Sequence, residues 1–309
     1  MFPIIPANTA TASFPENDEG IFAGGFKSGG ASTNETNLVS NAGVVASDGA
    51  GIGAGRRGPG GCEYGGDKGI IGFGEPGYLN STQLVSNTGV VSSNQAASTG
   101  TARTDPSGVE YGGDKGIFGF GYDGDPFYTA VSNLISNTGV VASDAAAVGT
   151  PKSGLAGCEY GGDKGIFSFG SGGPGVPQNT SNLVSNTGVI ASDQAALTGT
   201  QRHDTFGCSY GGDKGIVGFG NALSGDSPTA VSNLVSNTGV VSTDVAAVGT
   251  ARRALAGCEY GGDKGIFGFG KLNPGFLAIS NLVSNTGVVA TDTVGVGTAR
   301  AYLTACSFN

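Results

Sequence analysis

The phrase Tyr-Gly-Gly-Asp-Lys-Gly-Ile occurs five times, starting at Tyr64, Tyr111, Tyr160, Tyr210 and Tyr260. A second phrase, Leu-(Val/Ile)-Ser-Asn, ends at Asn41, Asn87, Asn137, Asn186, Asn237 and Asn285. A third, Gly-Thr-x-(Arg/Lys), begins at Gly100, Gly149, Gly199, Gly249 and Gly297, with Gly53-Ala54-Gly55-Arg56 as a decayed copy. The three phrases keep the same order and recur about every fifty residues, a spacing typical of repeat architectures whose unit is one small sheet.

One unit divides into four short strands. The first is Ala254–Tyr260, followed by a tight turn at Gly261-Gly262-Asp263-Lys264, where glycines permit the positive φ that a hairpin demands. The second strand is Gly265–Phe269, with Phe267 and Phe269 expected on one face and Ile266 on the other. A third strand runs through Leu282 and Val283, Ser284-Asn285-Thr286-Gly287 turns the chain, and Val288-Val289 opens a fourth. No segment sustains the apolar spacing of an amphipathic helix. Glycine, at 60 of 309 residues, is periodic, and hydrophobic residues still reach 38%, so the repeats can build a core.

The chain starts and stops partway through a unit. Asn17–Phe26 matches the second strand with its turn, and Gly297–Phe308 matches the lead-in and the first strand. Joined, they complete a sixth unit, which predicts that the two ends pair and leave no open edge. The expected fold is therefore all-β: a six-bladed β-propeller of four-stranded blades over residues 17–309, preceded by an extended arm at residues 1–16.

The wording of the unit resembles a kelch repeat: an arginine-led first strand, a hairpin, and a second strand ending in glycine. It departs from that family in having no Trp on the outer strand, where Val240 and Val288 stand. The glycine-rich, near-identical phrasing also resembles repeat proteins of tailed bacteriophage particles. That resemblance implies a virion component, a tail, fibre or capsid-surface part, made in the host cytoplasm.

Chemistry-bearing groups are sparse. The single histidine, His203, leaves a catalytic triad without partners and is expected to be a solvated loop residue. Copper chemistry on such a fold needs several His ligands. Cys62, Cys158, Cys208, Cys258 and Cys306 share one slot, which Val109 fills in the remaining unit, so they are expected to be buried free thiols. The turn aspartates Asp67, Asp114, Asp163, Asp213 and Asp263 each precede a lysine and are expected to serve the turn. Arg56, Arg103, Arg202, Arg252 and Arg300, with Lys152, are expected to brace adjoining blades through backbone carbonyls.

No catalytic residue, cofactor or metal site is expected. A net charge of −9 with scattered Lys and Arg lacks the footprint of a nucleic-acid binder. The opening Met1–Pro6 has neither the basic nor the long apolar region of a signal peptide, and no apolar run suits membrane insertion. The turns Gly-Gly-Asp-Lys and Ser-Asn-Thr-Gly fall on one face of the ring, and the segments that differ between units fall on the other. Recognition is expected on that variable face, through Tyr78, Tyr122, Phe127, Tyr128 and Phe276, and through Phe2, Ile4 and Ile5 of the arm. The expected role is non-enzymatic docking onto other assembly proteins. The alternative is a lectin-like propeller whose loop aromatics stack on host-surface glycans.

Overall fold

A computed structural model describes residues 18–49, 51, 53–124, 128–174, 176–195, 197–222 and 225–309. Residues 1–16 and Phe127 therefore lie outside the described residues. The described chain is all-β without a helix, organised as six three-stranded antiparallel sheets and one two-stranded pairing. The first unit is composite: its strands are Thr304–Phe308, Glu19–Ala23 and Thr36–Val39, with Glu19 opposite Phe308 and Ala23 opposite Thr304. Arg300–Ala301 also pairs with Phe26–Lys27. Units two to six begin at Gly60–Tyr64, Ser107–Tyr111, Ala156–Tyr160, Phe206–Tyr210 and Ala256–Tyr260.

The sheets follow one another in a closed order. The first strand of each unit packs against that of the next, and Ala256–Tyr260 packs against Thr304–Phe308 to complete the cycle. Six hydrophobic clusters form the core, one between every adjacent pair of units. This arrangement is consistent with a propeller.

Two recurrent features explain why glycine is so frequent, the first in five units and the second in all six. The glycines of the first turn, such as Gly65 and Gly66 (φ 69° and 79°), lie in the left-handed region. Gly65, Gly112, Gly161, Gly211 and Gly261 each donate a backbone N–H to the turn aspartate carbonyl of the next unit, at 2.7–2.8 Å. Asn309, at the end of the closing strand, donates to Asp67 at 3.1 Å and completes the circuit. The second feature is a close approach. A methyl on Gly116 would lie 2.7 Å from Cys62 Sγ, and one on Gly20 2.6 Å from Cys258 Sγ. The thiol slot of one unit thus fills the space that the bare glycine of the next leaves open.

Two expectations are corrected. The fourth strand is reduced to isolated bridges, with a second one in four of the units, such as Ser280 with Thr293, and one in every unit, such as Val283 with Val289. Beyond it, the buried Asn281 side chain donates to the Ala290 carbonyl (2.9 Å), and Asn133 does the same at Ala142 (3.0 Å). A side-chain amide thus takes an acceptor that a ladder partner would have used.

The second correction concerns Phe269, which joins Ile266 in the cluster facing the first unit while Phe267 faces the fifth. The register slips between Gly268 and Gly270, and Phe269 has φ 63°, which turns its side chain to the opposite face. Phe73, Phe120, Phe169 and Phe219 share this conformation, at φ 60–65°. Such backbone costs about 1–2 kcal/mol in a non-glycine residue. Burial of the ring and its packing against the next unit offset that cost, as in Phe73 on Phe118, edge to face at 5.3 Å.

Candidate functional site

The lead-in cations link each unit to the one before it. Arg103, wholly buried, lies 4.0 Å above the Phe73 ring of the preceding unit. It donates to the Phe120 carbonyl (2.7 Å) and to Asn133 Oδ1 (2.8 Å) in its own unit. Asn133 in turn donates to Asp144, which also accepts from the Thr101 backbone. Burial works to raise the Asp144 pKa, but the hydrogen bonds from Thr101 and Asn133 outweigh it and hold the carboxyl below its ordinary value. Arg202, Arg252, Arg300 and Lys152 stack in the same way on Phe169, Phe219, Phe269 and Phe120. The expected bracing of adjoining units through backbone carbonyls is corrected: these cations reach the preceding unit through its aromatic ring instead, and the carbonyls bound by Arg103, Arg252 and Arg300 lie in their own units. Arg56 stands out because Gly24 occupies the preceding unit's phenylalanine position, and it binds the Phe73 and Ser81 carbonyls instead.

On this scaffold the irregular loops gather three of the expected aromatics. Tyr78 from the second unit lies 5.8 Å from Tyr122 of the third, and Tyr122 lies 5.6 Å from Tyr128, ring centre to ring centre. All three are half-buried, and Gly124 leaves the space beside the Tyr78 ring. Phe276 stands apart from this trio, 6.0 Å from Phe26, whose ring also carries the Arg57 guanidinium at 4.8 Å.

Beside the tyrosines, the channel between the first strands opens through a ring of unlike residues. Gly58, Asp105, Gly154, Asp204, Ala254 and Tyr302 occupy equivalent positions, all with φ of 51–59°. Asp105 donates its N–H to Gly58 (2.7 Å), Ala254 to Asp204 (2.8 Å), Tyr302 to Ala254 (2.8 Å) and Gly58 to Tyr302 (2.8 Å). The side chains therefore cluster at one mouth. Arg253 donates to Asp204 Oδ2 and to the Tyr302 hydroxyl, each at 2.8 Å, and to Asp226 at 3.0 Å. His203 lies against Asp204 at 3.3 Å and is only 13% exposed, so it is packed into the mouth rather than solvated.

These neighbours separate the two aspartates. Burial opposes ionisation of Asp204, but His203 and Arg253 prevail and keep its pKa below the ordinary value. Burial, the Asp204 charge and Glu75 push Asp105 up to about 7, with Arg57 acting the other way. Burial and Asp204 likewise push Tyr302 up to about 12. A perturbed acid bordering a cavity is a candidate catalytic group. Here the cavity measures about 40 Å³, space for roughly three water molecules at ~10–15 Å³ each.

Further along the channel the first strands present Glu63, Glu110, Glu159 and Glu259, with Ser209 and Ser307 in the remaining units. Glu63 Oε1 accepts the Ser307 N–H at 2.6 Å. These carboxylates occupy the middle position of the Cys-x-Tyr phrase, which strand alternation alone does not mark as functional. Asp105 and Asp204 belong to no repeated phrase. Their signal was positional: an unlike residue in the slot just ahead of each first strand.

The turn aspartates behave as turn residues. Each pairs with its adjacent lysine and accepts from the Asn of the third turn in its own unit, at 2.9–3.3 Å. The five cysteines are free and buried, and burial pushes the Cys158 thiol up to about 12. Among the described residues no three His, Cys, Asp or Glu side chains converge to chelate a metal ion. No protein-family model matches the chain. A comparison with curated proteins finds no match.

Proposed function

We propose that the chain is a six-bladed, kelch-like β-propeller that works as a non-enzymatic interaction module, docking onto another protein of a larger assembly through its irregular-loop face and the arm at residues 1–16. The observation that carries this reading is the Tyr78–Tyr122–Tyr128 cluster. Three half-buried aromatics from two units, held on a scaffold braced by buried cations, have the character of an interface anchor. Tyrosine gives large contact area at small entropic cost, and a rigid base removes the ordering cost that a mobile loop would carry. The setting we propose is a tailed-phage particle, on the resemblance of the repeat wording.

The test is incorporation into particles by tagged full-length chain, compared with Tyr122→Ala and with Tyr78→Ala/Tyr128→Ala. Loss of incorporation with an unchanged unfolding midpoint supports docking through this cluster. Retained incorporation in both variants refutes it. The same proteins on a glycan array address the lectin alternative, which is favoured if specific glycan binding appears and disappears with Tyr122→Ala.

A further inference from the structure

The third turn of every unit leaves an apolar side chain outside. Val44, Val90, Val140, Val189, Val240 and Val288 directly follow this turn in units one to six, and each is 57–65% exposed. The turn spends its polar groups on itself. In the sixth unit the Ser284 hydroxyl accepts the N–H of Thr286 (3.3 Å) and of Val288 (3.1 Å), and the Asn285 amide donates to Asp263 (2.9 Å). Ser136 and Asn137 do the same in the third unit. These turns also form one continuous surface, because the third turn of a unit abuts the first turn of the unit before it. A methyl on Gly211 would lie 3.0 Å from the Asn285 carbonyl oxygen, one on Gly161 3.0 Å from that of Asn237, and one on Gly261 2.8 Å from that of Asn41. The valines therefore mark successive positions on a single surface, at the other end of the strands from Tyr78, Tyr122 and Tyr128. Apolar groups repeated on a polar-rimmed surface mark a protein contact.

Charge and repetition narrow what covers it. The Asp–Lys pairs of the five first turns cancel, so the net charge of −9 is carried by residues outside these turns and does not oppose a contact between copies here. Both members of each pair stay partly exposed, and a second copy turned over can set its lysines against the first copy's aspartates. The same groups recur from unit to unit, so a partner engages all of them only if it repeats in the same way. The irregular loops do not repeat, whereas the turn surface of a second copy does. We propose that this surface is an isologous contact between two copies of the chain, valines against valines and turn lysines against turn aspartates. Docking through the tyrosines is separate from it, since they lie at the other end of the strands.

The test is the oligomeric state of the full chain, by sedimentation velocity from about 1 to 100 μM, where contacts of modest affinity dissociate. The expected result is a reversible monomer–dimer equilibrium that stops at the dimer, as a closed two-fold contact must. Val140→Asn/Val240→Asn removes four valines from each dimer and should weaken it at least ~tenfold, with the unfolding midpoint of the dilute monomer unchanged. Should that variant fail to fold, Lys115→Glu/Lys214→Glu decides by the same criterion, because it sets carboxylates against carboxylates. Tyr122→Ala should dimerise as the parent does. A chain that stays monomeric throughout overturns the proposal; a lowered midpoint in Val140→Asn/Val240→Asn would then assign the cover to residues 1–16 of the same chain. Growth beyond the dimer, or a dimer unchanged in the deciding variant, also overturns it. So does a dimer lost in Tyr122→Ala, which would move the contact to the irregular loops.

Discussion

A methyl group placed on Gly165 offers a direct test of how the units are spaced. It would fall inside van der Waals contact of Val109 Cγ2, 3.0 Å from Val109 Cβ and 3.2 Å from the Glu110 carbonyl oxygen. Gly165 does not have a positive φ, so Gly165→Ala carries a steric cost and no backbone strain. Overpacking costs about 1–3 kcal/mol, and the stiffer unfolded chain returns about 0.4–1 kcal/mol. The net expectation is a loss of ~1–2 kcal/mol, or about 1.5–3 °C in the midpoint for a chain of this size.

Val109→Ala alone should cost ~2 kcal/mol, since Val109 is buried and its Cγ1 also fills the space at Gly157, 2.6 Å from where a methyl there would lie. In the double variant the new methyl enters space that Val109 has vacated. The two losses should then fall short of their sum by at least ~1 kcal/mol. Urea denaturation followed by circular dichroism gives the four free energies. Gly275→Ala, where a methyl would meet only the Leu272 carbonyl at 3.7 Å, serves as a control. Additivity within ~0.5 kcal/mol would refute the idea that Val109 and Gly165 set the distance between the third and fourth units.

Arg300 ties the two chain ends, donating to the Gly24 carbonyl (2.8 Å) and to Asn37 (2.6 Å). Arg300→Met should cost about 3–5 kcal/mol through the unpaired groups left behind, and Arg300→Lys clearly less, because Lys152 does the same work in the fourth unit; thermal unfolding distinguishes them. Asp105, with its folded pKa raised to about 7, binds its proton more tightly in the native than in the unfolded chain, so its contribution is fully present near pH 4 and is lost as pH rises through 7. Asp105→Asn should therefore match the parent near pH 4 and exceed it in stability at pH 8, by denaturant midpoint; a constant difference across that range would count against the assignment. The five buried thiols should be silent to a thiol reagent in the native protein, and all five should react under denaturant without reductant.

Closure was legible because an incomplete unit at each end is a statement about pairing, and Glu19–Ala23 does pair with Thr304–Phe308. The cysteine slot was legible through its replacement by Val109, and Cys158, for one, proves buried and unbridged. Local spacing, however, says nothing about which neighbour a side chain meets. Strict alternation put Phe269 beside Phe267, whereas a positive φ, stabilised by the next unit's Phe22 at 5.2 Å and Arg300 above the ring at 4.1 Å, turns it away.

The same limit applies to the candidate sites. Tyr78, Tyr122 and Tyr128 could be named singly from their irregular loops, but their meeting across two units comes from the packing of those units. Asp105 and Asp204 are 99 positions apart in the chain, and Glu63 and Glu110 stand in separate repeats. The sequence by itself determined the all-β character, the repeat, its turns and the pairing of its two ends, because those follow from local backbone preference and periodicity. Tertiary structure alone decided which carboxylates share the channel, because their charges interact only once the packing of successive units has brought distant repeats side by side and partly buried them.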